Sequence, residues 1–493
     1  MKSEYILNMD ELKNILKPCC IRQGEFNNIK NICINYFDVT QDSMFIALNS
    51  NKYSNVDGSL GFSGDEDSVF GLGGVDDGHQ KLERAYEMGA RFFVIDQDMQ
   101  CDYLSGASVF RVNDSLEAIK QIARYYIDKI GIKVIAVTGS VGKTSCTHAI
   151  FNCLKQKFKV AIFDRVRATQ LGLAYDILSK LSKEFDYLIV EMQMDGVGQI
   201  EAFCNIVNPF ISVINTVSNS HVARFDGSLE QILHEKLAVY RNLRADGKII
   251  VNVDSENVRK YFKDISDDRI VTIGTTDNVN FRATNLSTYG EYNQCKFELK
   301  IEDLLYDIKL LTIGNQSVYW ALVVFSILSF LKVNTDESIK IISEFSLIPG
   351  RMQLFRGINN SLVISDSYNA NSLSMSHGIE YVLSLGNKNK ILILGSMLEL
   401  ADYTEEEHRK IGRLIYDKEC KLITIGEAAT YIADEAIKLG MPKNNIKVFF
   451  SFEQIVNYLQ GVEISDEDVF YIKGSGKMRL ELITVYLLGN KVF

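Results

Sequence analysis

Short apolar runs alternate with stretches of helical spacing along most of the chain. A first set of runs begins at Lys133 and a second near Ser361, and each run is followed by a turn with Gly, Ser or Asp. Buried strands that alternate with helices form parallel sheets covered by helices on both faces. The pattern therefore predicts an α/β protein with two such sheets. The runs are KVIAV, DYLIVE, FISVINTV and GKIIVNV, then SLVISDSYN, KILILGS, KLITIG, IKVFFS and DVFYIKGS.

The length of the chain suggests several domains. With 493 residues the chain is too long for one ordinary core, and about three domains are expected. We place them at residues 1–128, 129–346 and 347–493. Residues 51–78 are rich in Gly, Asp and Ser and have no periodicity, which predicts a long loop, disordered rather than ordered.

Composition narrows the class of protein. The net charge is -10, from 53 basic and 63 acidic residues, which argues against nucleic-acid binding but not against a phosphorylated small substrate. Nine scattered cysteines without a CxxC pair favour a reduced, cytoplasmic protein. The acidic N-terminus lacks the features of a signal peptide. The apolar residues 318–333 are short for a membrane span and predict a buried helix, so no membrane association is expected.

The sharpest motif joins a strand to a helix through a glycine turn. Glycines let backbone N–H groups converge on phosphate oxygens, and the helix N-terminus adds partial positive charge. Lys143 supplies a mobile cation and Thr144 a magnesium ligand, although Val137 stands where the strict Walker pattern has Gly. Such a loop fits a kinase, a switch NTPase or a ligase. The predicted nucleotide-binding residues of this loop are Thr138, Gly139, Ser140, Val141, Gly142, Lys143, Thr144 and Ser145.

Several ordered motifs together resemble the Mur ligase family. They are TGSVGKTS, the block from INTVSNSHVARFDG to GKIIVNVD, PGRMQLF, SDSYNANSLSM, LGSMLELADYTEEEHRKIG and KGSGKMRLE, and they span roughly residues 130–490. The match before them is weaker, although Asp77-Gly78-His79 resembles a family signature. The motifs are most similar to the branch that adds D-alanyl-D-alanine to a UDP-MurNAc-tripeptide.

This resemblance implies a three-domain fold and a reaction. The N-terminal domain would bind a UDP-sugar, the central P-loop domain ATP, and a Rossmann-like C-terminal domain the amine substrate while closing over ATP. The reaction would be ATP-dependent amide-bond formation through an acyl phosphate, with the carboxylate attacking the γ-phosphorus and an amino acid or dipeptide attacking the acyl phosphate. ATP and about two Mg²⁺ ions are the implied cofactors.

The resemblance also assigns roles to residues of the central domain. Glu191 and His221 follow predicted strands, so both should lie at the ligand edge of the sheet and help Thr144 hold magnesium. Lys236 aligns with a lysine that the family carbamylates, which would make it an anionic metal ligand and requires a neutral amine. The alternative for His221 is a structural histidine without a metal, and the alternative for Lys236 is a solvated lysine on the surface of a helix.

In the C-terminal domain the resemblance points to nucleotide contacts. It implies that Arg351 reaches the γ-phosphate, that Asp366 holds the ribose and that Asn369 and Asn371 line the adenine pocket. Domain closure would exclude water and protect the acyl phosphate from hydrolysis. The expected catalytic residues are Lys143, His221, Lys236 and Arg351.

Three segments depart from the family pattern. Residues 165–174 lack the usual asparagines and proline, and residues 193–196 replace a Gly-Xaa-Asn-His run. Both changes would face the carboxylate substrate. On the nucleotide side, Gln316, Ser317 and Trp320 replace a His-Asn…Asn pattern. Phosphate chemistry is therefore expected to be preserved, while the acceptor pocket is remodelled.

Three functions remain open at this point. One is the cell-wall enzyme, and a second is a diverged ligase that joins another acid and amine in a specialised pathway. A third, a nucleotide-binding regulator without turnover, is disfavoured because the phosphate-site residues are intact. The expected partners are small-molecule substrates, and we expect a monomer.

Overall fold

The computed structural model describes residues 5–49, 52, 77–140, 142–163, 169–194, 196–217, 229–290, 294–344, 350–386, 389–398 and 400–489. The expected α/β fold is confirmed. The strands are β1 (Leu7–Asn8), β2 (Cys20–Arg22), β3 (Asn28–Ile29), β4 (Asn31–Cys33), β5 (Ser43–Ile46), β6 (Ala90–Ile95), β7 (Ser108–Arg111), β8 (Lys133–Thr138), β9 (Val160–Phe163), β10 (Tyr187–Glu191), β11 (Ile211–Ile214), β12 (Lys248–Asn252), β13 (Ile270–Gly274), β14 (Phe281–Tyr289), β15 (Gln294–Ile301), β16 (Leu304–Ile313), β17 (Gln353–Arg356), β18 (Leu362–Ser365), β19 (Asn389–Gly395), β20 (Lys421–Ile425), β21 (Ile446–Phe449) and β22 (Asp468–Lys473).

Helices connect most of these strands. They are α1 (Met9–Leu16), α2 (Leu82–Glu87), α3 (Ser115–Ile130), α4 (Lys143–Leu154), α5 (Gln170–Lys180), α6 (Gln199–Val207), α7 (Leu229–Lys236), α8 (Ala238–Arg241), α9 (Glu256–Phe262), α10 (Gln316–Phe330), α11 (Thr335–Ser343), α12 (Ser372–Ser384), α13 (Thr404–Ile415), α14 (Thr430–Lys438), α15 (Phe452–Gln460) and α16 (Glu481–Leu487).

The N-terminal part of the chain forms a five-stranded sheet in the order β2-β7-β6-β5-β4. Strands β4 to β7 pair in parallel, and β2 pairs with β7 in the antiparallel direction. Helix α3 packs against α1 on one side and against α5 and α6 on the other. One apolar core therefore runs from this sheet into the next, and the expected boundary at residue 128 falls inside α3. The proposed three-domain division remains a prediction.

The central sheet has nine strands in the order β16-β15-β14-β13-β12-β11-β8-β10-β9. Its strands from β9 to β14 are parallel, as expected for βαβ units, and its last two pairings are antiparallel. Strand β8 lies between β10 and β11, so the polar residues after these three strands meet at one edge of the sheet. This arrangement brings the glycine turn, Glu191 and Asn215 together.

The third sheet has the order β17-β18-β22-β19-β20-β21. All its pairs are parallel except that of β17 with β18. Strands β18, β19 and β22 are apolar and almost completely buried, because helices cover both faces. The second set of predicted strands is therefore confirmed.

The long apolar run near residue 320 is a buried helix, as predicted. Helix α10 lies in the core beneath the central sheet, and most of its side chains are buried. Within the described ranges, no helix is long and apolar enough to cross a membrane. The apolar run thus forms part of the hydrophobic core against the central sheet.

Two features differ from the sequence pattern or fall outside the structure. The antiparallel strands β14 to β16 were not predicted, because several of their residues are polar or exposed and the runs are not continuously apolar. The predicted loop at residues 51–78 lies outside the described residues except for positions 52, 77 and 78.

Candidate functional site

The glycine turn after β8 has the backbone geometry that only glycine accepts easily. Gly139 has φ +151° and Gly142 has φ +76°. A Cβ atom on Gly139 would lie 2.8 Å from the Cβ of Asn215, so no larger residue fits there. Helix α4 begins at Lys143, and its first backbone N–H groups face the turn. The turn therefore has the form of a phosphate cradle.

The hydroxyl and backbone groups around the cradle fix its shape. The Thr138 hydroxyl donates to the carbonyl oxygen of Met192 at 3.1 Å, and the Ser140 N–H donates to the carbonyl oxygen of Thr216 at 2.7 Å. Thr144 and Ser145 are buried in the first turn of α4. The structure therefore brings these predicted residues together, while Val141 lies outside the described residues.

Two lysine amines meet at one carbonyl oxygen of the cradle. Nζ of Lys143 lies 3.1 Å and Nζ of Lys236 lies 3.0 Å from the Gly139 carbonyl oxygen. Lys236 is only 1% exposed, and its Nζ also lies 3.7 Å from the Met194 sulfur. Burial, and next the charge of Lys143, hold the pKa of Lys236 well below its usual value. A solvated helix lysine is therefore excluded, and the amine is disposed to be neutral.

The carboxylate beside Lys236 in the sequence does not neutralise it. Glu235 is buried and accepts the backbone N–H groups of Gly198 and Ile200 at 2.7 Å each. Its charge thus caps helix α6. The amine of Lys236 points instead to the cradle.

Glu191 ends β10 beside the cradle strand. It is 3% exposed, and burial raises its pKa, against the opposing effects of Lys143 and a hydrogen bond with Thr144. One carboxylate oxygen accepts from Gln193 Nε2 at 3.1 Å, while Oε2 has no hydrogen-bond partner among the described residues. A buried carboxylate oxygen without a partner, next to a phosphate cradle, fits a cation.

The structure describes only some of the expected metal ligands. His221 lies outside the described residues. In the part of the chain that is described, no group of three or more His, Cys, Asp or Glu side chains forms a metal site by itself. Any magnesium bound here would therefore take phosphate or water oxygens as further ligands.

Arg351 approaches this site from the third sheet. Its guanidinium carbon lies 4.3 Å from the ring centre of Tyr368, and its Nε is buried without a partner in the described structure. Burial lowers the pKa of Arg351, while the negative charges of Asp366 and Glu191 act against this. The charge of Glu191 therefore acts on Arg351, and contact of Arg351 with the γ-phosphate stays a prediction.

Asp366 is engaged inside its own sheet. Its Oδ2 lies 2.5 Å from Nζ of Lys473 and accepts the Tyr471 hydroxyl at 3.1 Å, while Oδ1 accepts the Met352 N–H at 3.2 Å. Burial lowers the pKa of Lys473, and the Asp366 charge opposes that shift. The carboxylate thus anchors the backbone next to Arg351, and the ribose contact remains a prediction.

The two asparagines expected at the adenine also have local partners. Asn371 caps helix α12, its Oδ1 accepting the Ser374 N–H at 2.8 Å. Oδ1 of Asn369 accepts the Ala370 N–H at 2.9 Å. These bonds fix the turn after β18, and contact with a base stays a prediction.

Two groups that shape the site were not predicted from the sequence. Asn215, directly after β11, lies against both cradle glycines, and Lys473, at the end of β22, holds Asp366. Both follow predicted strands, so their position at the ligand edge was available from the pattern. Of the remodelled segments, residues 165–168 and 195 lie outside the described structure.

Comparison with known proteins agrees with this geometry. Residues 137–328 match the model of the Mur ligase middle domain, and residues 350–476 match that of the Mur ligase glutamate ligase domain. Together the two models match more than half of the chain.

Curated relatives and solved structures match over most of the chain. The UDP-N-acetylmuramoyl-tripeptide–D-alanyl-D-alanine ligase of Rickettsia prowazekii is 27% identical, covering 93% of this chain and 95% of the relative. The enzyme of the same name from Bacillus subtilis is 28% identical, over 84% of this chain and 88% of its own. The fold is similar to that of a MurF crystal structure from Acinetobacter baumannii, with a TM-score of 0.78, 20% identity and coverage of 99% and 100%. The chain belongs to the Mur ligase family.

Proposed function

We propose that this protein is an ATP-dependent ligase that adds D-alanyl-D-alanine to a UDP-MurNAc-tripeptide in peptidoglycan precursor synthesis. The names of relatives that match 84–93% of the chain support this reaction. The observation that carries the proposal is the cradle itself, where Lys143, Lys236 and Glu191 surround the glycine turn. The charge of Glu191 also acts on Arg351, which lies just before β17 of the third sheet.

The proposed chemistry has two steps. A substrate carboxylate oxygen attacks the γ-phosphorus, the bond from that phosphorus to the bridging oxygen breaks, and ADP leaves. The amine of the dipeptide then attacks the acyl carbon, loses a proton and expels inorganic phosphate. Lys143 and the N-terminus of α4 stabilise the phosphate charge, and Arg351 meets the transferred group from the opposite side. Catalysis is chiefly positioning and electrostatics.

Magnesium fits the residues present. The hydroxyl of Thr144 and the unpartnered Oε2 of Glu191 would hold it, together with His221. When bound, the ions supply positive charge to the phosphates.

We also propose that Lys236 is carbamylated. Its low pKa supports this, because CO₂ reacts with a neutral amine: an N–C bond forms, a proton is released and the lysine becomes an anion. The anion would remove the repulsion between Lys236 and Lys143. We further propose that the protein works as a cytoplasmic monomer on small molecules.

The second candidate is a ligase for another acid and amine. It is favoured by the loss of the usual asparagines and proline in residues 165–174 and of the Gly-Xaa-Asn-His run at 193–196. The phosphate chemistry would be the same, and only the acceptor pocket would differ.

One assay separates the candidates. Pure protein with ATP, magnesium and UDP-MurNAc-tripeptide is followed for ADP and product mass, with and without D-alanyl-D-alanine. ADP that requires both substrates, with a new amide, supports the first candidate. ADP only with a different acid and amine supports the second, and ATP binding without ADP under any pairing would leave the regulator.

A further inference from the structure

Two buried N–H donors beside the cradle have no acceptor. They are Nε1 of Trp320 and Nδ2 of Asn215, whose residues are 7% and 2% exposed. Neither atom has a hydrogen-bond partner in the described part of the protein. Buried donors are nearly always paired in folded proteins, because an unpaired one loses its bond to water without replacement. These two donors therefore require an acceptor that the described residues do not provide.

The two donors converge on one place. A Cβ atom on Gly142 would lie 3.3 Å from Trp320 Nε1 and 3.5 Å from Asn215 Nδ2. They arrive from different elements, since Asn215 follows β11 and Trp320 lies in the second turn of α10. Gly142 immediately precedes Lys143 and the N-terminus of α4. Two N–H donors, an ammonium group and a helix N-terminus thus border one spot, which favours an atom with a lone pair.

Packing explains the ring of Trp320 but not its N–H group. The ring belongs to the core beneath the central sheet, among the apolar side chains of α10. Phe would fill much of the same space without burying a donor. The nitrogen therefore points to a bound partner.

We propose that Trp320 and Asn215 bind the nucleotide by donating hydrogen bonds to one of its acceptor atoms, a phosphate oxygen or a ring nitrogen of the purine. This rests on the proposed function, which places ATP in the cradle. The indole group can donate but cannot accept, whereas the amide that stands at this position in the family pattern can do both. Trp320 therefore makes this chain select for an acceptor at that point of the nucleotide.

The protein offers a direct probe, because Trp320 is its only tryptophan. Protein labelled with ¹⁵N-tryptophan gives one indole N–H resonance. We expect that resonance to move downfield when ADP saturates the site, since a new hydrogen bond deshields the proton. An unchanged resonance, while calorimetry shows ADP bound, would overturn the proposal without any substitution.

The matching variant is Trp320→Phe, which removes the donor and keeps a ring. We expect it to weaken ADP binding about tenfold, the loss expected for one hydrogen bond of about 1.4 kcal/mol. The control is Tyr319→Phe, whose hydroxyl already donates to Asp254 Oδ2 at 2.9 Å, and which should bind ADP within about twofold of the wild type. ADP affinity unchanged in Trp320→Phe would contradict the proposal.

Inorganic tripolyphosphate identifies the acceptor. If Trp320→Phe weakens its binding as much as that of ADP, the acceptor is a phosphate oxygen; if only ADP binding weakens, the acceptor belongs to the base. A wild-type protein that binds neither ligand would refute the proposed function itself. A wild type that binds both, with the variant equal to it, would refute only the role of Trp320.

Discussion

Lys236 and Lys143 share the carbonyl oxygen of Gly139, although two ammonium groups at that distance would repel each other. The low pKa of Lys236, caused first by burial, removes this conflict by favouring the neutral amine. The sequence suggested carbamylation of Lys236 only through the resemblance to the Mur ligase family. What lowers the pKa of that amine is first of all burial, and the fold creates this burial by placing the amine against Met194 and Gly139.

We expect Lys236→Ala to reduce kcat at least about 100-fold, because it removes charge placed at the phosphates. In buffer depleted of CO₂ the wild type should lose activity and regain it with bicarbonate. Since the pKa is lowered, this recovery should persist at neutral pH. Steady-state ADP release measures both effects. Full activity of Lys236→Ala without CO₂ would end the carbamate proposal.

Lys143→Ala should abolish ADP formation while its circular dichroism stays that of the wild type, because the lysine is partly exposed and acts on phosphate. Lys155→Ala is the matched control at the exposed end of the same helix, and we expect it to leave turnover unchanged. Wild-type ADP release from Lys143→Ala would remove the phosphate-site assignment.

Single residues were predictable where a motif or a strand end marks them, as for Lys143, Thr144 and Glu191. Contacts between residues that are distant in the sequence were not predictable. The pairing of Asp366 with Lys473, which lies 107 positions later, is an example, while the ribose contact expected of Asp366 stays a prediction. The pair forms because β18 and β22 are adjacent parallel strands, and no local sequence pattern predicts that adjacency.

At the scale of elements, apolar runs located the buried parallel strands because such strands are covered on both faces. The same criterion failed for β14 to β16, because none of these strands is continuously buried. Most of β14 is half-buried or exposed, β15 alternates between buried and half-buried residues, and the second half of β16 alternates between buried and exposed residues. Apolar runs also could not predict the hydrogen bonds that fix the loop after β19. There His408 connects two elements: its Nε2 accepts the Met397 N–H at 2.9 Å, and its Nδ1 lies 2.6 Å from the Thr404 carbonyl oxygen.

Burial lowers the pKa of His408 from 6.5, with the Thr404 carbonyl opposing. The unfolded chain therefore takes up this proton first, so the stabilisation is complete above about pH 6.5 and is lost as pH falls through the folded-state pKa. We expect His408→Gln to lower Tm at pH 7.5 and to make Tm depend less on pH below about 6.5. Thermal melts across pH test this, with the exposed His377→Gln as control. An unaltered pH profile in His408→Gln would contradict it.

At the scale of the whole molecule, the described residues form sheets of five, nine and six strands and a two-stranded sheet of β1 and β3. The length of the chain predicts several domains, but it does not predict where the core of one sheet ends and the next begins. Helix α3 shares a core with both the first and the central sheet, so no composition change marks the border. By contrast, residues that flank the long Gly- and Asp-rich segment make contacts that mark its two ends. Asn49 donates to Asp77 at 3.0 Å, and Lys52 pairs with Asp96 at 2.5 Å.

Because these contacts close the base of the segment, we expect a short Gly-Ser linker in place of residues 53–76 to preserve the fold. Tm should stay within a few degrees of the wild type. Asn49→Ala with the segment intact should lower Tm more than the replacement does. The reverse order in differential scanning calorimetry would show that the segment itself carries stability.

The proposed function requires that the cradle activates a carboxylate as an acyl phosphate. The most direct test uses UDP-MurNAc-tripeptide labelled with ¹⁸O in its terminal carboxylate, with ATP, magnesium and D-alanyl-D-alanine. We expect one ¹⁸O in the inorganic phosphate for each amide formed, because a carboxylate oxygen leaves with the phosphoryl group. Amide formation with unlabelled phosphate would contradict the acyl-phosphate mechanism, and ADP release without any amide would contradict ligation of this substrate.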